Sequence, residues 1–365
     1  MNYITIKNNQ TIPLSSIPEL EYSSFLEQNV FSLIKNAECH CVNYYGFPYN
    51  GKIKLVCCIA SDMLSSIYVS SSAVDATQPL PSFSKHNLVF EKFEREIHEN
   101  FGIPYTDHPW LKPVRFPFNR FNKNTSIADY PFFAIESEEL HEVGVGPIHA
   151  GIIEPGHFRF ICNGEQILHL EIQLGYQHRG IEQLFLEKKK LLQRITLAEN
   201  IAGDSVAAHN IAFVNLWESL CGYEPGRDLQ LARTLALELE RVAIHTGDLS
   251  AICTDVAYQL GSAVFGRLRT PVINFFQTWC GNRLAKGLIR AGKTNFPFNN
   301  ELAGELNNLL DAFEPDFEEM SEELFSLPSA LARFEKTGVI TSEQAATIGT
   351  VGMSARMSAV SRDIR

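Results

Sequence analysis

The apolar positions change period along the chain, and those changes divide it. Tyr3 to Ile6 alternates as a short strand does, and Ser23 to Lys35 sets Phe25, Val30, Phe31, Leu33 and Ile34 at helical spacing. Three β-rich runs follow, Cys39 to Phe47, Ile53 to Ala60 and Ser66 to Ser71. Phe90 to Phe101 returns to helical spacing. The stretch from Phe101 to Pro117 is rich in proline and aromatic residues, which predicts a fixed, extended arm laid across another surface. Residues 118 to 140 read as a connector. Phe158 to Cys162 and Gln166 to Ile172 flank Asn163-Gly164, which predicts a β-hairpin with both turn residues left-handed, as in a type I′ turn.

From Gly175 onward the pattern is helical. Ile181 to Leu192 reads as one short helix, and Asp204 to Cys221 as another stopped by Gly222. Asp228 to Thr246 carries an apolar side of Leu229, Leu231, Leu235, Leu239 and Val242, and Gly247 is expected to close it. Phe265 to Ile289 is expected to bend or break near Pro271. Glu301 to Phe313, Phe317 to Leu324 and a last helix starting at Thr341 complete the pattern. The expected fold class is an α+β amino-terminal domain followed by a mostly α-helical domain that opens on a short antiparallel β-hairpin.

Length and composition add bounds. The 365 residues suggest two or more domains, and 45% hydrophobic with 20% charged residues allows a sizeable core. Lys+Arg 31 against Asp+Glu 42 gives a net charge of -11, which argues against a nucleic-acid binder. The opening residues have no basic, then apolar, leader pattern, and Ile53 to Ala60 falls far short of the ~20 apolar residues that span a bilayer. A soluble, cytoplasmic chain is expected, with any membrane association made through a partner. None of the eight cysteines forms a CxxC pair, so buried reduced thiols are expected. Cys39 and Cys41 should share one sheet face and Cys57 and Cys58 should point to opposite faces, while Cys221, Cys253 and Cys280 fall on separate helices with no close pair to anchor a metal.

The candidate chemistry lies between Gly144 and Asn210. Five of the eleven histidines, His149, His157, His169, His178 and His209, stand there with Glu154, Glu171, Glu182, Asp204, Arg159 and Arg179 among glycines. Imidazoles and carboxylates gathered beside glycine suit proton transfer, because close neighbours bring their pKa values toward neutrality. Plainer roles exist for each group. Arg179 and Glu182 can pair along a helix, as can Glu238, Glu240, Arg241 and His245, with Glu240 and Arg241 pointing different ways. Lys188, Lys189 and Lys190 read as a solvated face, and Asp107, His108 and Arg115 as locally paired residues of the arm. G-x-S-x-G, P-loop and G-x-G-x-x-G patterns are absent.

The run Gly144-Val-Gly-Pro-Ile-His-Ala-Gly-Ile-Ile-Glu-Pro-Gly-His-Phe-Arg-Phe160, the hairpin after it and Tyr176-Gln-His-Arg-Gly-Ile-Glu182 resemble the large subunit of membrane-bound, energy-converting nickel-iron hydrogenases, of the formate hydrogenlyase and hydrogenase-4 type. That family is related to the 49 kDa quinone-site subunit of respiratory complex I. Phe93-Glu-Arg-Glu-Ile-His-Glu-Asn-Phe-Gly-Ile103 and His108-Pro-Trp-Leu-Lys-Pro-Val-Arg115 resemble the 30 kDa subunit of complex I, and Leu237 to His245, Val351 to Arg356 and Ser361 to Arg365 are similar to later family segments. The resemblance implies a 30 kDa-like domain over 1–120, a connector over 121–140 and a large-subunit-like domain over 141–365. It implies catalytic or proton-handling roles for His149, Glu154, His157, Arg159, His178, Arg179, Glu182, Asp204 and His209.

Two departures qualify the resemblance. The family's first thiolate pair falls on Ala202 and Ser205, counting back from His209, and its second belongs to a segment beyond Arg365. No nickel-iron centre and no hydrogen turnover are therefore expected of this chain. The complex I relatives hold a quinone head group between a His, matched by His149 or His157, and a Tyr, for which Ala202-Gly203-Asp204-Ser205 offers none. The expectation is a subunit on the cytoplasmic side of the inner membrane, beside a small iron–sulfur subunit and membrane-embedded complex I-like subunits. It binds no cofactor itself, beyond a quinone-like acceptor or a proton-coupling pocket. The alternatives are a non-catalytic coupling subunit and a degenerate or truncated hydrogenase subunit.

Overall fold

Three long strands build the first sheet. β1 (Ile4–Ile6) and β2 (Glu19–Leu20) both pair with β5 (Ser66–Val74), and the order continues β5, β4 (Lys52–Ser61), β3 (Cys39–Tyr49). Alternation buries Tyr44, Leu55, Cys57 and Ile59 on one face, against Phe25, Phe83, Phe90 and Ile97. Cys39 and Cys41 pack toward that same core, and a bulge between Cys41 and Asn43 shifts the β3–β4 register. The structure, a computed structural model, describes residues 2–35, 38–149 and 154–361.

The expected helix over Ser23 to Lys35 is α1 (Tyr22–Leu26) followed by a π-helical segment, Glu27–Leu33. Asn29 donates its side-chain amide to the Phe25 carbonyl at 2.8 Å and to Ser70 at 3.1 Å, while the Ile34 amide reaches the Asn29 carbonyl. A side chain that occupies a ladder acceptor widens the turn. After a short parallel pair, β6 (Leu80–Pro81) with β7 (Tyr105–Thr106), the arm runs over α2 (Glu91–Phe101). Arg95 donates to the Lys112 and Pro113 carbonyls, and the Glu99 carboxylate accepts the Arg115 and Phe116 amides at 3.0 and 2.7 Å. The proline-rich arm is thus bonded in place. Its charges pair locally: Asp107 with Lys85 and Arg115 with Glu96.

A second, three-stranded sheet has the order β10 (Gln166–Gln173), β9 (His157–Asn163), β8 (His141–Val145). β8 is not among the strands expected from the sequence; it is short, and its five residues are all exposed. The hairpin is present, but its turn is centred one residue later than expected. Asn163 pairs with Gln166 and closes the strand, and of the two turn residues only Gly164 is left-handed, at φ 56. A glycine alone at the first turn position is the signature of the type II′ turn.

The helical part corrects four sequence expectations. Ile181 to Leu192 is two helices, α3 (Ile181–Glu187) and α4 (Leu191–Ala198), separated at Lys188 to Lys190. α5 (Val206–Cys221) stops at Gly222 as expected. α6 (Arg227–Asp255) runs straight through Gly247, where Arg269 fills the space a side chain would take. α7 (Gln259–Cys280) contains Pro271 and ends at Gly281, ahead of the small pair β11 (Ile289–Arg290) and β12 (Lys293–Thr294). α8 (Asn300–Ser326) contains Pro315 without a break, and α9 (Pro328–Phe334) follows. Phe265, Leu268, Val272 and Phe276 are all buried around Pro271, so packing outweighs the lost ladder bond there.

Compactness groups the described residues up to 149, from 154 to 178 and from 339 onward into one unit, and residues 179–338 into another. The first includes α10 (Ser342–Thr347), opened by a Thr341–Gln344 capping box, and α11 (Gly352–Met357). Gly349, at φ 69, lies against Val89 in the same unit. Val351 to Arg356 falls on α11, whereas residues 362–365 of the last matching segment lie outside the described residues.

Candidate active site

In the first unit, strand register sorts the candidate residues by face. Glu142, Gly144, His157, Arg159, His169, Glu171 and Gln173 share one side of the second sheet. Arg159 pairs with Glu142, and its guanidinium lies over the Phe132 ring at 5.0 Å. His157 sets its ring edge to the same Phe132, 5.5 Å between centroids. Buried Glu171 accepts from Lys112 at 2.6 Å and from the Phe133 amide at 2.8 Å, with His169 3.8 Å away. Gln173 donates to the Ile127 carbonyl and accepts from the Tyr176 hydroxyl. This face is therefore ordered by ion pairs and amides.

Gly146 shapes the loop that follows β8. It sits at φ 89, and a Cβ there would meet the Gly156 carbonyl and the His149 ring. The close approach lets His149 donate Nε2–H to the Gly156 carbonyl at 2.8 Å, which leaves Nδ1 as the lone-pair nitrogen. His157 Nδ1 lies 3.4 Å from the Gly146 carbonyl. Glu154 is exposed, and His178 is half-buried at the end of this unit. Residues 150–153, the centre of the motif, lie outside the described residues.

In the helical unit, Arg179 is exposed and donates to the Ile201 carbonyl at 2.6 Å, and Glu182 is exposed on the first turn of α3. Ala202 and Ser205 stand in the turn ahead of α5, with exposed Asp204 between them; the Ser205 hydroxyl donates to it at 3.3 Å. His209 gives its Nδ1–H to the Ser205 carbonyl at 2.9 Å, which leaves Nε2 as the basic nitrogen. The amino end of α5 is closed by Glu240 of α6, whose carboxylate accepts the Ala207 and Ala208 amides at 2.6 and 3.0 Å. Glu240 is buried, and Arg241, partly buried, lies 3.4 Å from Glu238.

The helical unit also brings together residues that pattern reading misses. Because α6 continues past Gly247, His245 and Asp248 stand three apart on one helix, and Arg269 of α7 packs at Gly247 beside them. Asp248 is exposed, yet its carboxyl is pushed up, first by partial desolvation and then by the negative charge of Asp204; His245 and Arg269 oppose the shift. Asp204, His245 and Arg269 thus all act electrostatically on one carboxyl. The signal is present in the spacing, but Gly247 reads as a helix end and hides it.

The donor set does not suit nickel and iron. Alanine has no ligand atom and serine is a poor substitute for a thiolate. The eight cysteines are free thiols; Cys57, Cys162, Cys253 and Cys280 are buried, while Cys221 is exposed, contrary to expectation. Among the described residues, no three His, Cys, Asp or Glu side chains converge on one metal position.

Residues 256–365 match the sequence family described as the respiratory-chain NADH dehydrogenase 49 kDa subunit. The chain is 27% identical over 264 residues to hydrogenase-4 component G of Escherichia coli, covering 68% of this chain and 48% of that one. It is 27% identical over 311 residues to formate hydrogenlyase subunit 5 of the same organism, covering 80% and 55%. It is 28% identical over 239 residues to the D subunit of NADH-quinone oxidoreductase from Campylobacter jejuni, covering 65% and 58%. The chain thus spans about half the length of the curated relatives it matches. The fold resembles a chain of the membrane-bound sulfane sulfur reductase, an archaeal respiratory membrane complex, with TM-score 0.57 and 19% identity over 64% of this chain and 62% of that one. Among the described residues no helix is long and apolar enough to cross a membrane.

Proposed function

We propose that this chain, a homologue of hydrogenase large subunits and of the NADH-quinone oxidoreductase 49 kDa subunit, is part of a membrane-associated electron-transfer complex that couples protons and has no nickel-iron centre. The supporting observation is the group formed by Asp204, His245, Asp248 and Arg269. It stands beside the segment where the family's first thiolate pair is replaced by Ala202 and Ser205. In this reading Asp248, with its raised pKa, gives up a proton when charge beside it changes, and Asp204 and Arg269 set the threshold. His149 and His209 each have one ring nitrogen tied to a carbonyl, so the other is available to take a proton. Within the first unit, His157, His178 and Glu154 are the further residues proposed to meet a quinone-like acceptor.

Electrons arrive from a small iron–sulfur partner, and the complex docks on membrane-embedded subunits from the cytoplasmic side. Residues 1–120 correspond to the 30 kDa-like part and 141–365 to the large-subunit-like part. The test is Asp204→Asn in the assembled complex. Acceptor reduction by membranes should fall at least about tenfold while assembly is kept; unchanged activity overturns the reading. A second reading, a non-catalytic coupling subunit, is favoured by Arg159, whose charge is already committed to Glu142 and Phe132. Stoichiometric nickel bound to this chain would exclude both.

A further inference from the structure

The corner between α3 and α4 carries three leucines on its outside. Leu186 is 78% exposed, Leu192 59% and Leu191 37%. Their exposure follows from how the corner is anchored. Phe185 stacks on Phe213 at 4.9 Å, and Ile195 and Ala198 fill the inward positions of α4. The link itself is Lys188-Lys189-Lys190, and the Lys188 carbonyl is held by Arg194 Nε at 2.7 Å. Among the described residues none of the three lysines has a carboxylate partner, and Glu187 beside them accepts a hydrogen bond from Gln183. The corner thus presents exposed apolar side chains beside three consecutive lysines that, among the described residues, no carboxylate neutralises.

We propose that this corner is a contact for an anionic lipid surface. Leucines at the tip enter the boundary between head groups and acyl chains, while lysine stems lie along it and keep their ammonium groups at the phosphates. Three adjacent lysines beside the surface supply electrostatic attraction. The charge of the whole chain sharpens the argument. At -11, the protein as a whole is repelled by an anionic surface, so a cationic apolar tip also dictates which way it faces. The inference does not depend on the redox reading, because vesicle binding needs no electron transfer.

The experiment is co-sedimentation of the full chain with vesicles of phosphatidylglycerol and phosphatidylcholine in equal parts, compared with phosphatidylcholine alone. Binding should be at least about tenfold stronger to the anionic vesicles and should weaken as salt is added. The double variant Lys189→Glu/Lys190→Glu should lose about tenfold or more, and Leu186→Ser/Leu192→Ser should lose the binding that survives added salt. Unchanged thermal melts will show that the variants fold, since all four positions are exposed. Absent or equal binding to the two vesicle types, or binding unaffected by both variants, overturns the proposal. Retention on an immobilised acidic polypeptide without vesicle binding also overturns it, in favour of a protein partner.

Discussion

The Glu240 carboxylate accepts the Ala207 amide at 2.6 Å, and so a side chain of α6 closes the amino end of α5. α5 needs this because its own cap residue, Ser205, makes no side-chain cap bond. The contact ties the α6 backbone to the turn that holds Asp204, from thirty-three residues away in the chain. Glu240→Ala should cost about 1–3 kcal/mol, because two amides at a helix end lose their acceptor. Glu240→Gln keeps one oxygen and should cost less. Urea unfolding of the two variants measures the difference.

The charge of Asp204 acts on the Asp248 carboxyl. Asp204→Asn removes a negative charge that raises the Asp248 carboxyl, so the Asp248 pKa should fall. A pH profile that depends on protonated Asp248 should therefore move to lower pH in Asp204→Asn. Arg269→Gln should move it the other way, since that cation holds the carboxyl down. A profile unmoved by either change would separate these groups from the proton step.

Glu218 and Arg233 form a buried ion pair between α5 and α6, with Arg233 nitrogens at 2.6 and 2.8 Å. Burial by itself would raise the Glu218 carboxyl, but Arg233 and the Gly292 amide outweigh it and hold the group below its ordinary value. A depressed folded-state pKa contributes stability that is present above the unfolded value, about 4.3, and is lost as pH falls through the folded one. Glu218→Ala leaves a buried cation and should cost about 3–5 kcal/mol near neutral pH. Denaturant titrations across the acid range should show the cost shrinking as pH falls.

Glu94 works in the opposite sense. Burial raises its carboxyl, against bonds from Ser82, Ser84 and the Phe83 amide that lower it. A raised folded-state value means the native state holds the proton longer. Stability from this site is greatest below the unfolded pKa and falls as pH rises through the folded one. Glu94→Gln should flatten that part of the stability curve, as melts over a pH series will show.

Gly146→Ala should disturb the loop that seats His149. It adds a Cβ toward the Gly156 carbonyl at a left-handed position, a strain of about 1–3 kcal/mol. Faster amide exchange at Gly156, which donates to the Pro147 carbonyl, is the expected readout.

Periodicity, glycine placement and capping residues alone determined the strands β3 to β5, the β9–β10 hairpin, the arm, the stop at Gly222 and the start at Thr341. These are local effects of backbone freedom and side-chain spacing. The candidate motifs and the loss of the thiolate positions at Ala202 and Ser205 are also written in residue order. Tertiary structure decided the rest. Gly247 reads as a stop and Pro271 as a bend or break because local propensity disfavours them, yet both helices continue, with Arg269 packed at Gly247 and Phe265, Leu268 and Val272 buried around Pro271. Continuing α6 past Gly247 is what set Asp248 on one helix with His245, and packing of α6 on α5 is what brought Glu240 to the Ala207 amide. Contacts across thirty or more residues leave no periodic trace, so which carboxylate caps α5 and which charges surround Asp248 emerged only when the helices packed.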